Sequence, residues 1–386
     1  MKAVEIKKGV YWVGVIDWSL RNFHGYSTGR GSTYNAYLII DEKITLIDTA
    51  KDTFTDELVA RISSVIDPAK IDYIVSSHLE RDHSSAIPAI MKYCPNATIY
   101  ASQPHGVKGL TAYYGEYNYQ GVKSGDEISI GSRRLQFLTT PMLHWPDSMI
   151  TYCPEEKILF SNDAFGQHLA ASSPFDDDND FAIVMEEAKK YYANILMLYG
   201  KQAQTACRTV TAFDIDMIAT GHGNIWRSHV PDILAAYEKW SANEPEERAV
   251  VVFDSMWHST EIMAKTITEA FSQKGIPVQY YDLKDNHISD IVVDVLTSKY
   301  LAVGSPTLNN TMLPTVAAFL CYLKGLSPKN REAFAFGSYG WGGQSIGEIE
   351  TTLEACGFHI CLDKIRIQNI PTQEQLADLA AKVLAL

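Results

Sequence analysis

The chain has 386 residues, of which 46% are hydrophobic and 20% are charged, and its formal net charge is −13 at pH 7. This length exceeds one comfortable hydrophobic core, and the composition is ordinary for a globular protein, so we expect two domains. The negative charge argues against nucleic acid or an anionic membrane as a partner. No apolar run is long enough to span a bilayer, and the N-terminus lacks a signal-peptide core.

The six cysteines form no C-x-x-C pair. This spacing excludes a fused rubredoxin or zinc ribbon and indicates no disulfide framework. The cysteines fit buried thiols in a reducing cytoplasm, which is where we expect this protein.

Strands dominate the first half of the chain, with helices predicted at 53–64, 186–198 and 231–240. The polar segment 241–248 predicts a break between a domain 1–245 and a domain 246–386. Beyond the break, strands and helices alternate, which predicts a doubly wound parallel sheet. Its predicted strands are 249–253, 277–281, 300–304, 332–337 and 359–367, and its predicted helices are 260–274, 288–297, 313–325, 344–356 and 373–385.

The run Ser77–His83 places four possible metal ligands directly after the apolar segment 71–75, which predicts a buried strand. Alternation along an extended segment would put His78, Glu80 and Asp82 on one side, and His83 would turn in from the following helix. Two imidazoles and two carboxylates are too many for one tetrahedral ion that also holds water. They predict a pair of metal ions, and the mixture of oxygen and nitrogen suits iron or manganese as well as zinc.

Single ligands follow later strand-like segments. His144 comes after 135–138, Asp163 closes 158–163, and His222 lies near the end of 217–223. One such histidine alone is more often a satisfied buried side chain than a ligand. The order of the whole set favours a metal site at the ends of several strands.

This order resembles the metallo-β-lactamase superfamily, whose first motif is H-x-H-x-D-H and whose later ligands are His, Asp and His. The departure is Glu80, which stands where the hydrolases carry a second histidine. A carboxylate hardens the site and moves its preference toward iron. With a bridging hydroxide, the charges of Glu80, Asp82 and Asp163 would make a diferrous site formally neutral.

Three loops that follow strands of the second domain are suited to a flavin. The first precedes a helix, whose free N–H groups can hold a phosphate, and no G-x-G-x-x-G motif indicates a dinucleotide. The other two offer glycines and aromatic side chains for a flat ring. One such loop would be an ordinary helix cap, but three resemble the FMN-binding loops of flavodoxins. The candidate contacts are Ser255, Met256, Trp257, His258, Ser259, Thr260, Pro306, Thr307, Leu308, Asn309, Asn310, Ser338, Tyr339, Gly340, Trp341, Gly342 and Gly343.

The two motif sets together resemble the flavodiiron proteins over essentially the whole chain. The resemblance implies a metallo-β-lactamase-like αββα sandwich followed by a flavodoxin-like five-stranded parallel sheet, with FMN and two iron ions. One iron would be bound by His78, Glu80 and His144. The other would be bound by Asp82, His83 and His222, with Asp163 as the bridge. His83 stays open as a ligand, because some family members turn this histidine away from the metal.

Two further segments, 23–28 and 191–194, also match the family. The resemblance makes His24 and one of Tyr191 and Tyr192 candidates for the substrate side of the diiron centre. Packing or hydrogen bonding at a domain surface is an equal alternative for each of them.

The resemblance implies an oxidoreductase that reduces dioxygen to water or nitric oxide to nitrous oxide. Electrons would pass through FMN from an external donor, because the sequence has no fused rubredoxin, iron–sulfur motif or NAD(P)H fingerprint. Rubredoxin is the commonest donor in that family, and a reduced deazaflavin coenzyme serves some methanogen members. Family members are head-to-tail homodimers, so a homodimer or a dimer of dimers is expected.

Two functions of other classes remain as alternatives. The first is a zinc hydrolase of the metallo-β-lactamase superfamily with a flavodoxin appendage, against which Glu80 weighs. The second is a non-catalytic electron carrier, against which the full ligand set weighs. The sequence does not choose between dioxygen and nitric oxide or between the possible donors.

Overall fold

The computed structural model describes all 386 residues, which form two compact units. Unit 1 comprises residues 1–192 and 201–238, and unit 2 comprises residues 193–200 and 239–386. The segment 241–248, where the sequence predicts the break, is divided between a helix that ends at Ala242 and a strand that begins at Glu246. None of the helices combines the length and the apolar character that crossing a bilayer requires.

The strands of unit 1 form two main β-sheets and two short two-stranded sheets. They are β1 (Val4–Lys7), β2 (Val10–Trp12), β3 (Val15–Asp17), β4 (Asn22–Phe23), β5 (Tyr26–Ser27), β6 (Ser32–Tyr34), β7 (Tyr37–Ile39), β8 (Thr45–Ile47), β9 (Tyr73–Ser76), β10 (Thr98–Ser102), β11 (Tyr119–Val122), β12 (Glu127–Ser129), β13 (Arg134–Thr139), β14 (Met149–Cys153), β15 (Ile158–Asn162) and β16 (Met217–Thr220). The seven-stranded sheet has the order β1-β2-β7-β8-β9-β10-β11, and the five-stranded sheet has the order β12-β13-β14-β15-β16.

A hydrophobic core joins the two sheets of unit 1. Tyr37 of the larger sheet packs against Phe160 of the smaller sheet, with ring centroids 5.3 Å apart. Every residue of β14, β15 and β16 is buried, so these three strands of the smaller sheet are covered on both faces. A second core packs against the larger sheet and contains Leu58, Ile90 and Leu110 of three helices. The sheets therefore form rigid inner layers from which loops project.

The helices of this part of the chain are α1 (Thr55–Ser63), α2 (Arg81–Ser84), α3 (Ile87–Ile90), α4 (His105–Tyr114), α5 (Phe181–Tyr191), α6 (Gly200–Val210) and α7 (Val230–Ala242). The prediction that a helix begins at residue 186 was wrong. The Asp180 side chain accepts hydrogen bonds from the N–H groups of Ala182 and Ile183, and this N-cap starts α5 at Phe181. Beyond Tyr191 the chain continues as a π-helical turn, Tyr192–Leu196.

Unit 2 is a parallel sheet flanked by helices. Its strands are β17 (Glu246–Phe253), β18 (Val278–Asp282), β19 (Ser298–Gly304), β20 (Glu332–Tyr339), β21 (His359–Ile360) and β22 (Ile365–Gln368). Its helices are α8 (Ser259–Gln273), α9 (Ile288–Val295), α10 (Pro314–Leu326), α11 (Gln344–Ala355) and α12 (Gln373–Leu384). The order is β18-β17-β19-β20, with β21 and β22 both paired to β20. Because β17 lies between β18 and β19, the winding reverses there, and the loops after β17 and β19 border the crevice where such sheets bind ligands.

The fifth strand of this sheet is broken, which corrects the prediction of one strand over 359–367. Ile360 pairs with Ala333, and Ile365 pairs with Phe336. The chain therefore advances five residues at this edge while β20 advances three. The excess cannot stay in register, so 361–364 leaves the ladder.

Gly337 on β20 gives the fold a testable constraint, because a Cβ atom there would lie 2.0 Å from the backbone oxygen of Ser305. We expect Gly337→Ala to destabilise unit 2 by about 1–3 kcal/mol, since the neighbouring backbone must move. Gly347 is the control. It lies inside α11 with open space around its Cβ position, and Gly347→Ala should stabilise by about 0.5–1 kcal/mol. Urea unfolding followed by hydrogen–deuterium exchange reports unit 2 separately, and equal stability of the two variants would contradict the tight contact.

Candidate metal centre and flavin cleft

The seven predicted metal ligands converge at one end of unit 1. They follow the carboxyl ends of four strands: His78 and Glu80 follow β9, His144 lies beyond β13, Asp163 follows β15, and His222 follows β16. We call His78, Glu80 and His144 the first group, and Asp82, His83 and His222 the second group. The ligand atoms of the second group lie within 4.8 Å of one another, as do those of the first group together with Asp163. The fold therefore brings two sets of predicted ligands together at one end of unit 1.

Asp163 lies between the two groups and is 1% exposed. Its Oδ2 is 3.6 Å from Nε2 of His78 and 3.3 Å from Nε2 of His144. Its Oδ1 is 3.0 Å from Nε2 of His83 and 3.5 Å from Nε2 of His222. Each oxygen of one carboxylate thus faces a different group, which is the arrangement of a bridging ligand.

Each group also holds a carboxylate of its own. Oε2 of Glu80 is 3.1 Å from Nε2 of His144 and 3.3 Å from Nε2 of His78. In the second group, Oδ2 of Asp82 is 3.3 Å from Nε2 of His222, and Oδ1 is 3.7 Å from Nε2 of His83. The two groups are therefore similar in chemistry, with one carboxylate between two imidazoles in each.

Metal ions fit this arrangement because several buried polar atoms at its centre have no hydrogen-bond partner. These atoms are both carboxylate oxygens of Asp82 and of Asp163 and both ring nitrogens of His83. Buried polar groups are seldom left unsatisfied, since the loss of water costs free energy that a partner normally offsets. Nitrogen and carboxylate oxygen together are suitable donors for first-row transition metals.

The local structure of the Ser77–His83 run differs from the prediction in one respect. Extended alternation was wrong for Asp82, because Glu80 directly precedes the short helix α2 and Asp82 lies within it. The helical turn directs Asp82 and His83 to the second group, while His78 and Glu80 reach the first. The His83 ring is 1% exposed and points inward. Its role as a ligand stays a prediction.

Two groups that the sequence did not single out hold ligand rings in place. Asp147 is buried, and its Oδ2 lies 3.3 Å from Nδ1 of His78 and accepts a 2.6 Å hydrogen bond from the N–H of Leu79. Nδ1 of His222 is 2.6 Å from the backbone oxygen of Thr33. Both contacts leave Nε2 of the histidine facing the centre. A carboxylate in the same loop as His144 was the available signal for Asp147.

His168 is a further buried histidine beside the second group. Its ring centroid is 4.8 Å from that of His222 and 5.1 Å from that of Tyr191. Nδ1 lies 2.8 Å from Oγ of Ser32, and Nε2 has no hydrogen-bond partner. Burial lowers the pKa of His168 well below its ordinary value, so the ring is neutral. Its position shortly after Asp163 in the sequence was the only signal.

The predicted substrate-side residues occupy different environments. His24 is largely exposed, with Nε2 3.5 Å from Oε1 of Glu80, and it lines a cavity of about 860 Å³ together with Glu80, Asp82 and His144. Tyr191 is buried, and its ring centroid lies 6.0 Å from that of His222. Tyr192 packs on Tyr237, with ring centroids 5.1 Å apart. The Tyr191 ring therefore lies beside the rings of His168 and His222.

In the metal-free chain the carboxylates and imidazoles shift each other's protonation. Burial alone would lower the pKa of His78, but Asp147 and Glu80 raise it to about 10. The same opposition raises the pKa of His83 to about 10, through Asp82 and Asp163, and that of His144 to about 9. Burial alone would raise the pKa of Asp163, but His83 and His144 hold it well below its ordinary value. The centre is therefore a set of buried ion pairs at neutral pH.

These shifts predict a pH dependence for metal binding. The folded-state pKa values of His78, His83 and His144 lie above the ordinary 6.5. The stability that their protonated forms contribute to the folded chain is thus fully present below pH ~6.5 and is lost as pH rises toward ~9–10. A divalent ion must displace these protons, so its apparent affinity should rise from pH ~6 to ~9 with proton release. Calorimetric titration in buffers of different ionisation enthalpy measures the release, and identical heats in all buffers at pH ~7 would contradict it.

Unit 2 contains a cleft of about 360 Å³ at the carboxyl ends of its strands. The predicted flavin contacts that line it are Ser255, Met256, Trp257, Ser259, Pro306, Thr307, Ser338, Tyr339 and Gly340. Asn369 and Ile370 also line it and were missed. They directly follow β22, so the rule that ligands bind beyond strand ends applies to this loop as well as to the three that were predicted.

The other predicted flavin contacts do not line this cleft. They are His258, Thr260, Leu308, Asn309, Asn310, Trp341, Gly342 and Gly343. Thr260 is fully buried behind the cleft. Its hydroxyl lies 3.0 Å from that of Ser338, which does line the cleft. Trp341 is 95% exposed.

The first of the three predicted flavin loops, residues 254–261, suits a phosphate. Oγ of Ser255 is buried without a hydrogen-bond partner, and the loop leads into the 15-residue helix α8. Free N–H groups at the first turn of that helix point toward the loop and favour an anion. Nζ of Lys284 donates a 2.9 Å hydrogen bond to the backbone oxygen of Ser255, which tethers the loop.

Known proteins share both halves of this chain. A family model described as ODP family beta lactamase matches residues 33–223, and a flavodoxin model matches residues 251–382. A nitric oxide reductase of Moorella thermoacetica is 42% identical over 392 residues, which cover 99% of this chain and 98% of that protein.

Solved structures match over the same length. The rubredoxin oxygen:oxidoreductase of Desulfovibrio gigas has a TM-score of 0.96 and 39% identity, covering 99% of this chain and 97% of that one. The flavodiiron protein of Giardia intestinalis has a TM-score of 0.96 and 36% identity, covering 100% of this chain and 96% of that one. The predicted fold class, a metallo-β-lactamase-like domain followed by a flavodoxin-like parallel sheet, is confirmed. The chain belongs to the flavodiiron protein family.

Proposed function

We propose that this chain is a flavodiiron oxidoreductase that reduces dioxygen to water, nitric oxide to nitrous oxide, or both. The observation that carries the proposal is the position of Asp163, whose two oxygens face two separate groups of imidazole and carboxylate. Family membership supports a redox pair of irons, and the cleft of unit 2 supplies a place for the flavin that reduces them. Similar proteins are named for reactions with each of the two gases.

The proposed cofactors are FMN and two iron ions. One iron is bound by the first group and the other by the second group, His83 included, with Asp163 as the bridge. Glu80 is a reason to prefer iron over zinc, because it adds a hard carboxylate oxygen where a zinc hydrolase has an imidazole. Ser255 and the N-terminus of α8 hold the FMN phosphate, and the loops at Thr307 and Tyr339 hold the ring system.

The protein residues keep one face of the metal centre open and supply protons. An iron pair held by the two groups would supply the electrons that reduce a diatomic gas, and FMN held at the cleft of unit 2 would supply electrons to the irons. The cavity of about 860 Å³ gives the gas access to Glu80, Asp82 and His144. His24 lines this cavity, with its Nε2 3.5 Å from Oε1 of Glu80, and is the candidate for the substrate side of the centre. Burial raises the pKa of Tyr191 well above its ordinary value, so this side chain stays protonated and is a hydrogen-bond donor.

The proposed assembly is a homodimer in which the FMN of one protomer serves the irons of its partner. The support is a set of large apolar side chains that a monomer leaves in water, three of which line the flavin cleft while the fourth, Trp341, directly follows Gly340 of its lining. Their exposed fractions are 42% for Met256, 86% for Trp257, 95% for Trp341 and 73% for Ile370. Exposed apolar groups so close together mark interaction sites. An external electron donor completes the system, and rubredoxin is the first candidate because a similar protein is named for it.

Gas consumption tests the proposed reaction. The holoprotein is reduced without oxygen, mixed with dioxygen or nitric oxide, and followed by flavin absorbance and gas electrodes. We expect rapid flavin reoxidation by at least one gas without hydrogen peroxide, because the irons divert electrons from direct reaction of the flavin with dioxygen. A reduced flavin that persists with nitric oxide and forms peroxide with dioxygen would rule out the proposal. Two bound zinc ions with hydrolytic activity would favour the zinc hydrolase.

Removal of the bridge tests the ligand assignment. Asp163→Ala should lower the iron content from about two ions per chain to below about one, because both groups lose a shared ligand. FMN content should not change, since unit 2 is untouched. Asp214→Ala is the control, because Asp214 is 73% exposed and makes only a surface ion pair with Lys157. Elemental analysis and the flavin spectrum measure both cofactors, and an unchanged iron content in Asp163→Ala would contradict the bridge.

A further inference from the structure

The two groups of the metal centre differ in what lies behind their histidines. Nδ1 of His78 faces the carboxylate of Asp147, whereas Nδ1 of His222 faces the backbone carbonyl of Thr33. Nδ1 of His83 has no hydrogen-bond partner. A carboxylate carries a full negative charge and a carbonyl only a partial one. Nδ1 of a first-group histidine therefore contacts a carboxylate, and no Nδ1 atom of the second group makes such a contact.

Asp147 is fixed in this position. It is 2% exposed, and its Oδ2 accepts the 2.6 Å hydrogen bond from the N–H of Leu79. Its backbone oxygen accepts a 2.6 Å hydrogen bond from Oγ of Ser102 on β10. Asp147 also lies in the loop that carries His144, between β13 and β14. One loop thus provides a predicted ligand of the first group and the carboxylate that orients another.

We propose that Asp147 is a positioning residue that makes the two iron positions unequal, an inference that rests on the proposed diiron function. It holds His78 with Nε2 toward the iron and places a fixed negative charge behind the first group. A carboxylate behind a ligating histidine increases the basicity of that ligand. A nearby negative charge in a buried site stabilises the more highly charged metal. Iron at the first group therefore holds the ferric state more strongly than iron at the second group.

Asp48 provides a matched control. It is also a buried carboxylate of unit 1 near the centre, and it accepts a 2.7 Å hydrogen bond from the N–H of Ser77. Its other oxygen lies 3.3 Å from Nδ2 of Asn162. It makes no hydrogen bond to a ligand ring. Burial raises its pKa, and the charge of nearby His83, a member of the second group, opposes that rise. A general loss of buried charge would affect both variants, whereas loss of the His78 contact affects one.

The experiment is a redox titration of the iron- and FMN-loaded chain, with electron paramagnetic resonance of the half-reduced iron pair. Asp147→Asn should lower the comproportionation constant of the two irons about 10-fold, which is ~59 mV less separation between two one-electron steps. Asp48→Asn should not lower this constant, because the ligand ring that interacts with Asp48 is His83 of the second group. Asp147→Glu, which keeps the charge, should restore much of it.

Each outcome decides the inference. An unchanged constant in Asp147→Asn, or an equal change in Asp48→Asn, would overturn it. Asp147→Asn can also hold too little iron for titration. Recovery of iron in Asp147→Glu then supports a role for the negative charge of Asp147, and equal loss of iron in both variants overturns that role. A wild-type chain that holds no iron pair or reduces neither gas would instead be a failure of the proposed function.

Discussion

Burial of charge at the metal centre is the constraint on which the rest of unit 1 depends. Asp163 is 1% exposed, and neither of its carboxylate oxygens has a hydrogen-bond partner. An uncompensated buried carboxylate costs several kcal/mol, so opposite charge must be supplied close by. In the metal-free chain the protonated forms of His83 and His144 supply it, and their own pKa values rise in consequence. Metal ions replace those protons, which links the protonation of the site to its loading.

The two sheets of unit 1 bring the histidines close enough to the buried carboxylates to compensate their charge. β9 of the larger sheet and β15 and β16 of the smaller sheet end at the same side, so side chains far apart in sequence meet there. Strands that are buried on both faces cannot shift without exposing apolar surface, and this rigidity keeps the ligand atoms at bonding separations. Residues outside these strands, such as His24 and Asp147, complete the surroundings of the centre.

The flavin cleft follows a different rule, because it is set by topology. The reversal of winding between β17 and β19 leaves a crevice at the strand ends, and the loops that follow several strands border it. Glycines are needed where the backbones approach most closely, as Gly337 does against Ser305. A phosphate site and a ring site thus arise on one sheet edge from short-range features of the loops.

The sequence by itself determined the parts that depend on residue type and local order. These are the placement of the seven predicted ligands after strands, the fold class and three of the loops at the cleft of unit 2, while the roles of the ligands stay predictions. Each is a short pattern, so spacing and hydrophobicity carry it. Extended alternation failed at Asp82 because a helical turn intervened, and the fifth strand of unit 2 failed because register with β20 is a property of two strands.

Only the tertiary structure decided the contacts between distant residues. Asp147 and His78 are 69 positions apart, and Thr33 and His222 are 189 positions apart. The same holds for the placement of His168 and of Tyr191 beside the ring of His222. No spacing rule connects such pairs, because their separation in space depends on how the two sheets pack. Residue type therefore pointed to the predicted ligands, and packing determined that Asp147 and Thr33 orient the rings of His78 and His222.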